Sequence, residues 1–153
     1  MDRIDRNILQ ILQEDATLPV ADIAEQVGLS STPCWRRIQN LEKAGVIKRR
    51  VALLDAEKLN CGVTVFVHLR TSQHSHDWLE KFSAVVLRMD EVVEFYRMSG
   101  DIDYLLRIVV PDIAGYDAVY KRLINAAALS DVSSSFALET IKFTTALPLK
   151  YAP

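Results

Sequence analysis

Six cations, Arg36, Arg37, Lys43, Lys48, Arg49 and Arg50, stand between Ser30 and Arg50 beside a single acid, Glu42. Groups of this kind at this density suit a polyanion. The arginine fork makes paired bonds to phosphate or to a guanine edge, and the lysine ammonium acts as a point charge. The chain as a whole does not share the bias, because its 153 residues carry 18 Lys and Arg against 20 Asp and Glu. A local cluster attracts a polyanion even where the total is slightly negative. Charge alone leaves a solvated basic face equally open, so the spacing has to decide.

Cys34, Ile38 and Leu41 recur at helical spacing, which turns one side of the segment inward and makes Cys34 a small core residue. Arg36, Gln39, Asn40 and Lys43 then face outward, flanked by Trp35 and Arg37. Ser30, Ser31 or Thr32 caps this helix, Pro33 is tolerated in its first turn, and Gly45 ends it. Upstream, Ile4, Ile8, Ile11 and Leu12 mark a first helix with Asp2 as N-cap. Val20, Ile23, Ala24 and Val27 mark a short second helix after Pro19, closed by Gly28. Helix, glycine turn, helix is the layout of a helix-turn-helix, whose second helix enters the major groove with its N-terminal residues leading. On this reading Ser31, Thr32, Trp35 and Arg36 go deepest, Arg36 bonds guanine, and Gln39 or Asn40 reads adenine. Lys43, Lys48, Arg49 and Arg50 hold phosphate.

Beyond Gly62 the period changes. Val63–Arg70 alternates as a strand, and Trp78, Leu79, Phe82, Val85, Val86 and Met89 form a helical stripe. VVEFYRMS and DYLLRIVV read as two strands joined by a turn at SGDID, and a helix follows from Ile113 to about Ala127. Val132–Thr145 reads as extended, in one strand or two. The fold class is therefore α+β, a helix-turn-helix (winged-helix-like) domain followed by a βαββαβ, ferredoxin-like domain. The boundaries fall at 1–54 for the first domain, 55–62 for a hinge and 63–153 for the second, with Val46–Leu54 expected to be extended. Both parities of DYLLRIVV are largely apolar, yet two helices cover only one sheet face. The other face needs a cover, most economically a second copy of the chain.

Several function classes are excluded or unsupported. No run of about 18 apolar residues suggests a membrane span, and the opening lacks a signal peptide's apolar centre. Two cysteines, Cys34 and Cys61, do not make a disulfide scaffold and fit a reducing cytoplasm. His68, His74, His76 and Cys61 lack the spacing of a zinc site, so no metal is expected. No Ser-His-Asp set or phosphate-cradling glycine loop occurs, and Asp101 and Asp103 alternate sides if extended, so neither an enzyme nor a cofactor is expected.

Residues Asp2–Leu59 resemble the N-terminal half of the leucine-responsive regulatory protein/asparagine-operon regulator (Lrp/AsnC) family. The marks are Asp5-Arg6 with Ile8-Leu9, the run Ser-x-Thr-Pro-Cys-x-x-Arg, and Gly45-Val46-Ile47. SGDIDYLLRIVVPDIAGYD and SSSFALETIKFTTALPL are similar to the family's amino-acid-sensing half. The resemblance implies a transcriptional regulator that binds double-stranded DNA and dimerises through its βαββαβ sheets, with assembly to tetramers or octamers. It also implies pairing of the segment near Arg49–Leu54 between subunits, and a small amino-acid effector held between dimers. The effector residues it implies are Gly100, Asp101, Asp103 and Tyr104 at the turn and Ser133, Ser134 and Ser135 in the later serine run. The alternative function is an amino-acid-binding module that acts on a protein partner without specific DNA binding.

Overall fold

The computed structural model describes all residues, Met1–Pro153, and divides into two compact units. The first comprises Met1–Leu53 together with Ile141–Pro153, and the second Leu54–Thr140.

The first unit is built on three helices, α1 (Arg3–Glu14), α2 (Val20–Gln26) and α3 (Ser31–Lys43). Asp2 caps α1 in a capping box with Asp5, satisfying N–H groups that a helix start leaves unpaired. Pro19 precedes α2, and Gly28 at φ 71° turns the chain into α3, a left-handed conformation that glycine adopts without a Cβ penalty. Gly45, also at φ 71°, closes α3. The helices meet in one core of Ile8, Leu9, Ile23, Ala24, Cys34, Ile38 and Leu41. Leu149, at the head of a 3₁₀ turn (Leu149–Tyr151), packs against this core.

One expectation needs correction here. Residues 141–153 fold with the first unit rather than the second, because Leu149 finds its apolar partners among these helices. Val46–Leu54 joins no strand ladder within the chain, and residues 48–54 lie exposed without helical structure. Val51 and Leu53 are left largely exposed.

In the second unit, β1 (Val63–Arg70), α4 (His76–Val86), β2 (Val92–Arg97), β3 (Tyr104–Val110), α5 (Ile113–Ala126) and β4 (Asp131–Phe136) follow in the βαββαβ order. The sheet is antiparallel with order β2-β3-β1-β4. Val65, Val67 and Leu69 of β1 and Leu106, Ile108 and Val110 of β3 point to one face, where Trp78, Phe82 and Val86 of α4 and Tyr116, Val119 and Leu123 of α5 cover them. Phe82 stacks on Trp78 at 5.0 Å between ring centroids and meets Phe95 edge-on at 5.9 Å, favourable arrangements for aromatic pairs. The opposite face shows Phe66, His68, Leu105 and Val109, half-buried, with no helix over them. Glu94 and Arg107 form an ion pair on the same face. The extended run expected over Val132–Thr145 is a strand only as far as Phe136, and Leu138 beyond it is fully exposed.

Candidate nucleic-acid interface and effector turn

The inward side of α3 is sealed by Cys34, Ile38 and Leu41. Burial pushes the Cys34 thiol up, away from its reactive thiolate form. The opposite side carries Thr32, Arg36, Asn40 and Lys43, all exposed, at the i, i+4 and i+7 spacings that share a helix face. Neither Arg36 nor Lys43 is paired with an acid, and the same holds for Lys48 and Arg49 just beyond the helix. Ser31 lies in the first turn and Trp35 on the flank, 52% exposed. An indole left this far in water on a helix otherwise cleanly divided presents an apolar surface to whatever α3 meets.

Three expected contacts are differently engaged. Arg37 turns away from the outward face and pairs with Asp2 and Asp5 of α1, each at 2.7 Å. Hydrogen bonds to Asp5 and then Asp2 raise the Arg37 pKa, so the guanidinium stays charged. Gln39 donates through Nε2 to Glu42 Oε2 at 2.8 Å, and Arg50 bonds the other oxygen of Glu42 at 3.0 Å. Glu42 thus offsets part of the charge expected from Arg50. The sequence marks Asp2 as a helix cap and Asp5 as part of a family motif, but the pairing of both with Arg37 is visible only in the packing of α1 against α3.

At one end of the sheet, Gly100 sits at φ 121° in the turn between β2 and β3. The turn is fixed to β1 by three bonds: Asp103 N–H to the Leu69 carbonyl at 2.9 Å, Arg70 Nε to the Asp101 carbonyl at 2.6 Å, and Thr71 N–H to Asp103 Oδ2 at 2.8 Å. Asp103 Oδ1 lies 4.0 Å from His74 Nδ1. Asp101 is exposed, and its carboxylate bonds nothing in the chain. Tyr104 does not belong with them: it is 4% exposed and packs against Trp78 and Phe95, because its parity in β3 faces the helices. The serine run is divided by the same alternation. Ser134 opposes buried Val67 and bonds the Tyr116 hydroxyl, whereas Ser133 and Ser135 oppose His68 and Phe66 on the open face. Arg70, Thr71 and His74 join the turn only through strand register, which no short motif announces. Nowhere do three or more His, Cys, Asp or Glu side chains gather as metal ligands. No helix is long and apolar enough to cross a membrane.

Residues 64–147 match the family described as Lrp/AsnC ligand binding domain, and residues 1–48 match winged helix-turn-helix DNA-binding. The chain belongs to the Lrp/AsnC family. Lrp/AsnC proteins are transcriptional regulators and not enzymes, and their α+β architecture is the one described above. The DNA-binding transcriptional activator DecR of Escherichia coli K12 is 50% identical over 98% of this chain and 99% of its own. An AsnC family transcriptional regulator from Agrobacterium tumefaciens is 67% identical in sequence, with a TM-score of 0.97 over 100% of both chains. A transcriptional regulator from Neisseria meningitidis, solved as a complex with L-Met, is 37% identical with a TM-score of 0.92 over 97% of each chain.

Proposed function

We propose that this Lrp/AsnC chain is a sequence-specific DNA-binding regulator of the cytoplasm, working as a dimer or higher assembly and modulated by a small amino acid. One observation carries the reading: α3 is apolar and sealed behind, while Thr32, Arg36, Asn40 and Lys43 stand exposed and unpaired in front. Ser31, Thr32, Trp35 and Arg36 lead into the major groove, Gln39 and Asn40 border the bases, and Lys43, Lys48, Arg49 and Arg50 hold phosphate. Two copies would read half-sites separated by about 34 Å or a multiple of it. The open sheet face, with Phe66, Leu105 and Val109, supports pairing of two chains through their sheets.

For the effector, Gly100, Asp101, Asp103, Ser133 and Ser135 form the proposed site between dimers. The free carboxylate of Asp101 suits an α-ammonium, and Asp103 holds the turn in shape. The L-Met complex of the Neisseria regulator supports an amino acid as ligand. Such a ligand acts by binding one assembly or DNA-compatible arrangement more tightly than another. The test is footprinting of the chain's own upstream DNA while L-methionine and other amino acids are titrated in. A footprint that shifts or weakens with one amino acid supports the reading, and a footprint indifferent to all of them removes the effector from it.

A further inference from the structure

Arg37 follows Arg36 in the chain but lies on the flank of α3 that meets α1. Its Nη1 donates to Asp2 Oδ2 and to Asp5 Oδ1, both at 2.7 Å. The other oxygens of the two carboxylates close the α1 cap: Asp2 Oδ1 accepts from Asp5 N–H at 2.8 Å and Asp5 Oδ2 from Asp2 N–H at 3.1 Å. Each acid therefore gives one oxygen to its own helix start and one to α3. The Asp5 side chain is only 17% exposed, so this contact is partly shielded from solvent. Two anions in direct contact also cancel the attraction of this guanidinium for phosphate.

We infer that Arg37 is a positioning residue, which with Asp2 and Asp5 sets the roll of α3 against α1 and so the placement of Arg36 in the groove. The core that α1 and α3 share with α2 is apolar: Ile8, Leu9, Ile23, Ala24, Cys34, Ile38 and Leu41. Such contacts are non-directional and tolerate small rotations, whereas charge-assisted bonds fix an orientation. Because Arg36 is the adjacent residue on the same helix, any change of roll displaces it at once. The inference rests on the reading of α3 as the helix that meets DNA.

The sign of one effect makes this testable. Removing an acid near a DNA-binding surface should, on charge alone, tighten every duplex. If the acids position α3 through Arg37, their removal should instead weaken the specific complex. Full-length protein is compared on a duplex that it enriches from a random-sequence pool and on a scrambled duplex of equal composition. Asn caps a helix as well as Asp does, so Asp2→Asn leaves α1 capped while loosening the clamp. The double variant Asp2→Asn/Asp5→Asn should lose about three- to tenfold on the enriched duplex, within the range of coupled residues in one network, and lose nothing on the scrambled one. Arg37→Lys, which keeps the charge but replaces the rigid planar guanidinium by a flexible ammonium, should lose affinity in the same way. Arg37→Ala should leave the salt slope on scrambled DNA unchanged and cost nothing further in the double-Asn background.

Tighter binding of the double-Asn protein to both duplexes would overturn the inference. So would a salt slope flattened by about one phosphate in Arg37→Ala. A lowered melting temperature with equal loss on both duplexes would reduce the clamp to a fold-stabilising contact and also overturn it. If the unaltered protein shows no preference between the duplexes, the DNA reading itself fails and the inference with it.

Discussion

Gln13 and Leu147 exchange two hydrogen bonds: Gln13 Nε2 donates to the Leu147 carbonyl at 3.3 Å, and the Leu147 N–H donates to Gln13 Oε1 at 2.6 Å. Arg6 adds a bond to the Ala152 carbonyl at 3.4 Å, and Leu149 joins the three-helix core. The unit that carries α3 is thus discontinuous in sequence, and its last thirteen residues brace α1 from outside. Gln13→Ala should cost about 0.5–1.5 kcal/mol, the usual net worth of a hydrogen bond, and deletion of residues 141–153 should cost more. Hydrogen exchange at the α1 amides is the readout. Protection unchanged by the deletion would show that the brace contributes nothing.

Arg36 and Lys48 should separate base reading from phosphate holding. Arg36→Ala is expected to cost about 1–3 kcal/mol on a specific duplex and to relax specificity, whereas Lys48→Ala should weaken all duplexes alike and lower the salt slope by about one. Equal losses for Arg36→Ala on specific and scrambled DNA, measured by fluorescence anisotropy, would refute its base-reading role.

The chain has two tryptophans, half-exposed Trp35 on α3 and buried Trp78 in the second core. In a Trp78→Phe protein the emission should therefore come from Trp35, and DNA should change its intensity and shield it from iodide. In a Trp35→Phe protein the remaining emission should be blue and little affected by DNA. Iodide quenching that DNA leaves unaltered in Trp78→Phe would place Trp35 outside the interface.

Asp2 gives a signed pH dependence. The backbone N–H of Asp5, and then the Arg37 guanidinium, hold its carboxyl below the ordinary carboxylate value. A group depressed in the folded state contributes stability that is fully present above its unfolded value of about 3.9 and is lost as pH falls through the lower folded value. Unaltered protein should therefore melt above Asp2→Asn at neutral pH, and the gap should close in acid. A gap constant with pH would show that the Asp2 charge does not stabilise the fold.

Cys34 is fully buried and its thiol is pushed up by burial, while Cys61 is half-buried. Iodoacetamide should label Cys61 in native protein and reach Cys34 only on unfolding. Rapid native labelling of Cys34, read by mass spectrometry, would contradict the sealed inward face of α3.

Local periodicity was enough to read most elements. The stripes Ile4–Leu12 and Cys34–Leu41 became α1 and α3, and the alternation in Val63–Arg70 became β1, because burial of one face writes its period into the residues that make it. The effector residues follow from motif resemblance, and a motif does not record strand parity. Tyr104 and Ser134 sit in suggestive motifs, yet strand parity turns each toward the helices. Arg37 looked like one more cation of a basic helix, and only the packing of α1 shows which acids hold it. Contacts between distant segments, such as Gln13 with Leu147 or Thr71 with Asp103, leave no periodic trace in either partner. Val46–Leu54 carries the composition of a strand without a partner in the chain to make it one.

The central claim is that the exposed face of α3 reads a DNA sequence. Its most direct test is fluorescence anisotropy of the full-length protein on its own upstream DNA and on a scrambled duplex, near physiological salt. Tight binding to the first with a margin of at least about a hundredfold, some 2.7 kcal/mol, over the second is the predicted result. Equal weak binding to both, with or without amino acids present, would contradict it and leave the basic helix a solvated face.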